Sequence, residues 1–198
     1  QMPSLDCTEK KAAAIFSAAL KGREASLEDA DRFASFMMEY FGVLDADRGW
    51  VKQLHLGALR DPNRRMAAKL GADTGSDTIG DFIQGNALAK YLDRLDFIGK
   101  LPKTIIYNLN PADNYLFAAM PGSFQDSTAV GKIQYGAAWW FLDQENGIRA
   151  QLVALSDLGL LSWLGGILTD SRSLLSYPRH QYFRRILCDT LGADVENG

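Results

Sequence analysis

The sequence predicts an α/β fold of parallel (β/α) units, and three observations lead to that prediction. Four short apolar segments are typical of buried strands, and helical segments lie between them. The strands are separated by far more residues than a hairpin needs, which favours parallel crossover connections. Polar residues follow the ends of the strands, where α/β folds bind their ligands.

Length and composition are those of an ordinary soluble globular protein. The 198 residues are enough for one large domain or two small ones, and 47% are hydrophobic and 23% charged. The net charge of −3 gives no indication of a nucleic-acid partner, and no apolar run reaches the roughly 18 residues of a membrane span. With only Cys7 and Cys188 and no apolar leader at the N-terminus, we expect a reduced, cytoplasmic protein.

Residues 1–48 are predicted to form a helical lead-in, ahead of an α/β region at 49–198. An Ala-rich helix is expected at 10–20. Ser26 is a good N-cap for a second helix, and Gly42 is expected to close it. Aromatic residues recur at helical spacing in the second helix, which is more typical of core packing than of a cofactor site.

The α/β region alternates predicted strands and helices. The predicted strands are 50–59, 103–109, 131–139 and 164–168. The predicted helices are 83–95, 112–120, 145–158 and 178–191. A closed (β/α)8 barrel needs eight strands and about 250 residues, so four strands indicate either an open sheet or half of a barrel.

Each predicted strand ends beside polar or aromatic side chains. The carboxyl ends of parallel strands share one side of a sheet, so we expect these side chains to lie on the same side. They are His55, Arg60, Asn108, Asn110, Trp139, Trp140, Asp170 and Arg172.

Four stretches of the chain carry a resemblance to a known family. They are 53–60 (QLHLGALR), 101–114 (LPKTIIYNLNPADN), 131–144 (GKIQYGAAWWFLDQ) and 166–188 (GILTDSRSLLSYPRHQYFRRILC). Together they are similar to the C-terminal half of the uronate (glucuronate) isomerases of the amidohydrolase superfamily. The resemblance runs from about residue 27 to residue 192, and its last stretch is the most specific.

The resemblance implies a distorted TIM barrel that binds one divalent metal, often zinc, and interconverts aldose and ketose uronates. The substrate pairs are D-glucuronate with D-fructuronate and D-galacturonate with D-tagaturonate. The four predicted strands then become barrel strands five to eight, and 49–198 becomes the C-terminal half of a (β/α)8 barrel. The resemblance also implies an N-terminal half with a His-x-His metal motif on strand one, and the present sequence does not contain that motif.

Asp170 and Arg172 are the main candidates for catalysis. From the residues alone, Asp170 is most simply an N-cap and Arg172 a surface ion-pair partner. The resemblance implies that Asp170 sits at the metal and moves a proton, since a carboxylate serves as a hard ligand or as a general base. It implies that Arg172 binds substrate and stabilises the negative charge of an enediolate-like intermediate.

His55, Arg60 and Trp139 complete the candidate site. A lone His in a strand is more often a core residue, but its position resembles the family's active-site histidine, which contacts metal, substrate or metal-bound water. Arg60 resembles an arginine that clamps the substrate carboxylate, with a solvated loop charge as the alternative. Trp139 is expected to wall the substrate cavity, with plain packing as the alternative.

The basic residues near the C-terminus do not indicate a nucleic-acid site. Aromatic and aliphatic residues are interleaved with Arg179, His180, Arg184 and Arg185, which is typical of an amphipathic barrel helix. His180 is therefore expected to be a helix residue and not a ligand.

The sequence thus predicts part of a glucuronate isomerase that acts by proton transfer between C1 and C2 of an open-chain uronate. Activity is expected of the full-length protein and not of this chain alone. The alternatives are a metal-dependent hydrolase of the same superfamily and a non-catalytic barrel fragment. The expected partners are a uronate and either a second copy of the chain or the N-terminal half, with no nucleic acid and no membrane.

Overall fold

The protein is described by a computed structural model that covers residues 2–171 and 173–197, so Arg172 lies outside the described residues. The helices are α1 Glu9–Leu20, α2 Leu27–Arg48, α3 Arg64–Leu70, α4 Gly85–Phe97, α5 Asn114–Ala119, α6 Glu145–Leu158 and α7 Pro178–Asn197. The strands are β1 Val51–Leu56, β2 Ala58–Leu59, β3 Thr78–Ile79, β4 Lys103–Asn108 and β5 Ile133–Tyr135. No helix of the described residues is long and apolar enough to cross a membrane.

The chain forms two compact units. The first comprises Gln1–Lys52 and Ile83–Thr104, and the second comprises Gln53–Phe82 and Ile105–Gly198. The predicted division into 1–48 and 49–198 stays a prediction.

The first unit is built on α1, α2 and α4. As predicted, Ser26 caps α2, because its hydroxyl accepts a hydrogen bond from the backbone N–H of Asp29 at 3.1 Å. The prediction that Gly42 closes this helix is wrong, since α2 continues to Arg48 and ends at Gly49 with φ of +66°. Gly42 instead lets α4 approach, because a Cβ built there would lie 2.5 Å from Leu95 Cδ1.

The larger sheet is parallel and has the strand order β1-β4-β5. The predicted first strand, 50–59, is not continuous, because Gly57 interrupts it with φ of +108°. Its last residues form β2, which pairs antiparallel with β3 in a separate two-stranded sheet, with Ala58 opposite Ile79. The expectation of exclusively parallel pairing is therefore corrected at this point.

The predicted fourth strand, 164–168, does not form. Gly166 adopts φ of +92°, outside the β region, and a glycine pair gives the segment little side-chain packing to hold it extended. Its apolar side chains are nevertheless packed. Ile167 lies against the core cluster shared by α6 and α7, and Leu168 packs beside Trp139.

The helices of the second unit follow the predictions with three differences. Helix α6 has the predicted bounds, whereas α7 runs six residues beyond the predicted end at Leu191. The predicted helix at 112–120 is split, because 3-10 turns flank the short α5 on both sides. Helix α3 was not predicted; it begins after Asn63, whose side chain accepts from the N–H of Met66.

Candidate active site

An open cavity of about 520 Å³ in the second unit gathers several of the side chains that the sequence singled out. Four of the strand-end side chains, Arg60, Trp139, Trp140 and Asp170, lie in its wall. Its volume is in the range of cavities that hold small molecules. The wall residues are Arg60, Asp73, Gly75, Asp77, Trp139, Trp140, Thr169, Asp170, Ser171 and Arg179.

Asp170 is an exposed carboxylate in the cavity wall, held in an unusual backbone conformation. Its φ of +46° is in the left-handed region, which costs a non-glycine residue roughly 1–2 kcal/mol but which Asp and Asn tolerate best. Asp170 lies in the irregular segment between Leu168 and α7. The next described turn, Leu174–Ser176, is capped by Ser173, and α7 begins only at Pro178, so Asp170 is the N-cap of neither.

His55 packs against two aromatic rings and feels the charge of Asp170. Its ring stacks on Tyr107 with centroids 4.4 Å apart and meets Trp139 edge-on at 4.6 Å. Partial burial of the ring lowers the pKa of His55, and the negative charge of Asp170 opposes that shift. The pKa of Tyr107 rises to about 12, first through burial and then through the same Asp170 charge. His55 therefore favours the neutral form, which has a lone pair to offer.

Arg60 reaches the cavity but already has partners there. Its Nη1 lies 2.5 Å from Asp77 Oδ2 and 3.7 Å from Asp73 Oδ1, and its guanidinium lies 5.3 Å from the ring centroid of Trp140. The pKa of Asp77 is lowered first by a hydrogen bond from the backbone N–H of Asp61 and then by Arg60. Arg60 is thus an exposed cation, with 60% of its side chain accessible, that is paired with Asp77.

The end of β4 is held by a buried polar network. Asn108 donates to Asn114 Oδ1 at 2.7 Å, and the Tyr135 hydroxyl donates to Asn108 Oδ1 at 2.8 Å. The indole N–H of Trp139 donates to the Asn108 carbonyl at 3.1 Å. Trp139 is therefore a packed core residue that also lines the cavity. Asn110 instead caps the 3-10 turn that follows β4.

The described residues offer only part of a metal site. No group of three or more His, Cys, Asp and Glu side chains that could hold a metal occurs among residues 2–171 and 173–197. Asp170 and His55 are suitable ligand types, but a catalytic zinc site usually has three protein ligands. Asp170 and His55 could therefore supply part of a metal site, but they do not form a complete one.

Three charged residues of the cavity were missed in the sequence analysis. Asp73 and Asp77 lie in the loop before β3, and Arg179 lies at the start of α7. The acidic spacing in 71–77 (GADTGSD) was the available signal for the first two, but only the β2–β3 pairing brings that loop to Arg60. Arg179 was assigned to an ordinary helix surface, and His180 beside it is indeed an exposed helix residue.

Comparison with known proteins gives a consistent result for the whole chain. The family model described as glucuronate isomerase matches residues 1–198. Curated proteins named uronate isomerase are similar in sequence: the one from Opitutus terrae is 59% identical over 97% of this chain, and the one from Solibacter usitatus is 57% identical over 96%. The chain spans 41% of the length of each.

A solved structure agrees with the sequence comparison. The crystal structure of a uronate isomerase from Thermotoga maritima matches 100% of this chain with a TM-score of 0.90 and 33% sequence identity. The match covers 42% of that protein.

Proposed function

Because this chain belongs to the glucuronate isomerase family, we propose that it carries part of the active site of an enzyme that interconverts aldose and ketose uronates. One observation supports the proposal most strongly. The exposed Asp170 carboxylate lies in one cavity with the Arg60 cation, and it is close enough to His55 and Tyr107 to shift the pKa of each. A base and a cation in one cavity suit a substrate that loses a proton and carries a carboxylate.

The proposed substrates are six-carbon uronates, D-glucuronate with D-fructuronate and D-galacturonate with D-tagaturonate. The Arg60 guanidinium would hold the substrate carboxylate, which is the anion its planar fork matches. The rings of Trp139 and Trp140 would lie against the C–H groups of the sugar chain. Binding at Arg60 would compete with Asp77, so we propose that the arginine shares its donors between the two carboxylates.

The chemistry proposed for Asp170 is proton transfer between neighbouring carbons. In the aldose-to-ketose direction the carboxylate takes the proton from C2 and returns a proton to C1, while the hydroxyl proton of O2 moves to O1. Nothing is oxidised or reduced overall, so no co-reactant is needed. Arg172, which lies outside the described residues, is proposed to stabilise the enediolate-like charge that develops between these two transfers.

We further propose that Asp170, with His55 as a neighbouring donor, contributes to a divalent metal, with zinc as the first candidate. When bound, such a metal would polarise the oxygens at C1 and C2 as a Lewis acid. The remaining ligands would have to come from outside this chain. Zinc content is the measurement: we expect Asp170→Asn to lower it in the protein that carries this chain.

The barrel strand assignment, the location in the cell and the assembly are also proposals. We propose that β1, β4, β5 and the packed segment 164–168 correspond to strands five to eight of a (β/α)8 barrel of the amidohydrolase superfamily. We propose a cytoplasmic enzyme in which this chain pairs with the N-terminal half of the protein or with a second copy.

The test of the catalytic proposal is the uronate isomerase activity of Asp170→Asn. Asparagine tolerates the positive φ of position 170 but cannot accept a proton, so we expect kcat to fall by about 100-fold or more. The matched control is Asp194→Asn, at an exposed aspartate of α7. An unchanged rate in Asp170→Asn would remove Asp170 from the mechanism.

The alternative functions give different outcomes in the same assay. The hydrolase reading is not favoured, because the family model and the named relatives are uronate or glucuronate isomerases. A non-catalytic fragment predicts no uronate turnover and no stoichiometric zinc. The intact mass should be measured first, because a mass near 21.8 kDa would mean that the chain is assayed without its proposed partner segment.

A further inference from the structure

A second arginine, Arg179, lies in the cavity wall and is fixed there by a buried acid. It is the second residue of α7, and its side chain is 38% exposed. Its Nη2 donates to the backbone carbonyl of Asp143 at 2.8 Å and lies 2.7 Å from Asp143 Oδ2. The hydrogen bond to the carbonyl and the ionic contact to the carboxylate, both made by Nη2, hold this end of the guanidinium against Asp143.

Asp143 is an unusual anchor because its carboxylate is fully buried. Its side chain has 0% exposure, and neither Oδ1 nor Oδ2 has a hydrogen-bond partner among the described residues, so the contact of Oδ2 with Arg179 is ionic. A buried carboxylate is costly unless a cation accompanies it, so the acid and Arg179 depend on each other. Such a pair fixes a side chain before a ligand arrives, which reduces the entropy cost of binding.

Arg179 still has donors to offer. A guanidinium has five N–H donors, and the contacts to Asp143 use only Nη2. Within residues 2–171 and 173–197, Nε and Nη1 of Arg179 have no hydrogen-bond or ion-pair partner. Arg60 also uses a single nitrogen, Nη1, but it shares that nitrogen between two carboxylates, Asp77 and Asp73, which both lie within 4 Å.

A second cation in the described wall favours the binding of an anion. Three aspartates, Asp73, Asp77 and Asp170, line the cavity with two arginines, Arg60 and Arg179, and the buried Asp143 offsets part of the charge of Arg179. Without Arg179 the same wall would carry two net negative charges. A uronate would enter such a cavity against electrostatic repulsion.

We infer that Arg179 contacts the carboxylate of the uronate alongside Arg60, and that Asp143 is the positioning residue that holds it there. The inference rests on the proposed function and adds a specificity-determining residue to it. It predicts that the chain selects sugar acids over neutral sugars through two cations from different elements, the loop after β2 and the first turn of α7.

The first experiment is steady-state kinetics of Arg179→Gln on a uronate. The variant loses a hydrogen bond to the charged carboxylate, which the enzyme makes equally in the ground state and in the transition state. We therefore expect KM to rise by about 10- to 100-fold and kcat to stay within about threefold. The matched control is Arg185→Gln, at an exposed arginine of the same helix. Asp143→Asn is expected to raise KM in the same direction by a smaller factor.

The second experiment asks whether the lost contact is to the carboxylate. Inhibition is compared for a six-carbon sugar acid and for the six-carbon polyol that lacks its carboxylate. In Arg179→Gln we expect the inhibition constant of the acid to rise about tenfold or more and that of the polyol to stay unchanged. Guanidinium salt is expected to restore part of the lost affinity of Arg179→Ala.

Each other outcome overturns the inference in a recognisable way. A lowered melting temperature with an unchanged KM would make Arg179 a structural partner of Asp143 only. If Arg179→Gln weakened inhibition by the acid and by the polyol equally, or lowered kcat at an unchanged KM, carboxylate binding by Arg179 would be ruled out. If the unmodified protein neither binds nor converts uronates, the proposed function fails and this inference falls with it.

Discussion

At the scale of single residues, the site depends on the electrostatic relation between His55 and Asp170. His55 lies on β1, where its ring packs against Tyr107 and Trp139. Asp170 lies more than a hundred residues later in the sequence. Burial lowers the pKa of His55, and Asp170 raises it by a smaller amount. The imidazole therefore stays neutral near neutral pH while the adjacent carboxylate is available as a base or ligand.

This relation predicts that Asp170→Asn lowers the pKa of His55 further, because the negative charge that opposes the effect of burial is removed. NMR titration of the imidazole C–H signals measures it, and a His180→Gln variant assigns the signals, since the chain has two histidines. Asp194→Asn should leave the pKa of His55 unchanged. A rise, or no shift, in Asp170→Asn would show that the two groups are not coupled.

The same shift has a consequence for stability. A His whose pKa is lower in the folded than in the unfolded state stabilises the fold above its unfolded pKa, and that contribution is lost as pH falls toward the folded value. His55 should therefore make the free energy of unfolding fall on acidification below about 6.5. Asp170→Asn should steepen the loss.

At the scale of elements, the junction between the Trp140–Leu142 turn and α6 positions the wall residue Trp140. Gly147 in the first turn of α6 passes directly over that turn, and a Cβ there would lie 2.2 Å from the Leu142 carbonyl oxygen. The obstacle is backbone, which cannot rotate aside. The wall residue Trp140 in the same turn has φ of +52°, a rare value for a bulky residue, so the turn is already constrained.

Gly147→Ala should therefore destabilise the protein by about 1–3 kcal/mol, since the overpacking outweighs the better helix propensity of alanine. Denaturant unfolding measures the change in the free energy of unfolding. The control is Gly192→Ala in α7, where no atom lies within 4 Å of the new Cβ and where the gain should be up to about 1 kcal/mol. If both variants stabilise the protein, the close approach at Gly147 is not real.

At the scale of the whole molecule, each unit leaves large apolar side chains exposed. In the first unit Leu27 is 93% exposed and Phe97 is 89% exposed, and in the second unit Leu175 is 87% exposed. Where exposed apolar residues form a contiguous patch, the patch is typical of a surface that another polypeptide covers. This observation supports the proposed pairing with a second copy or with the N-terminal half.

We therefore predict that the protein is not a monomer of this chain alone. Light scattering after size exclusion should give a mass well above 21.8 kDa. Phe97→Ser and Leu175→Ser, tested separately, should show which surface is covered, because the relevant substitution weakens the association. A single monomeric species that unfolds cooperatively would contradict the prediction.

The sequence by itself determined most of the local structure and the family. Helix bounds such as those of α6 and the Ser26 cap follow from short-range periodicity and side-chain capping, which neighbouring residues specify. The long C-terminal motif around Asp170 was sufficient to indicate the uronate isomerases, and the comparisons confirmed that family. The side chains expected at strand ends included four that share the cavity, Arg60, Trp139, Trp140 and Asp170.

Only the tertiary structure decided the features that depend on distant backbone. Gly42 looked like a helix end, but α4 passes close to it, and no local pattern reveals a partner fifty residues away. The segment 164–168 looked like a strand because it is apolar, yet it is packed without being paired. Arg179 became a candidate binding residue only when the fold placed its helix against the buried Asp143, since charge pairing across 36 residues is set by packing and not by sequence spacing.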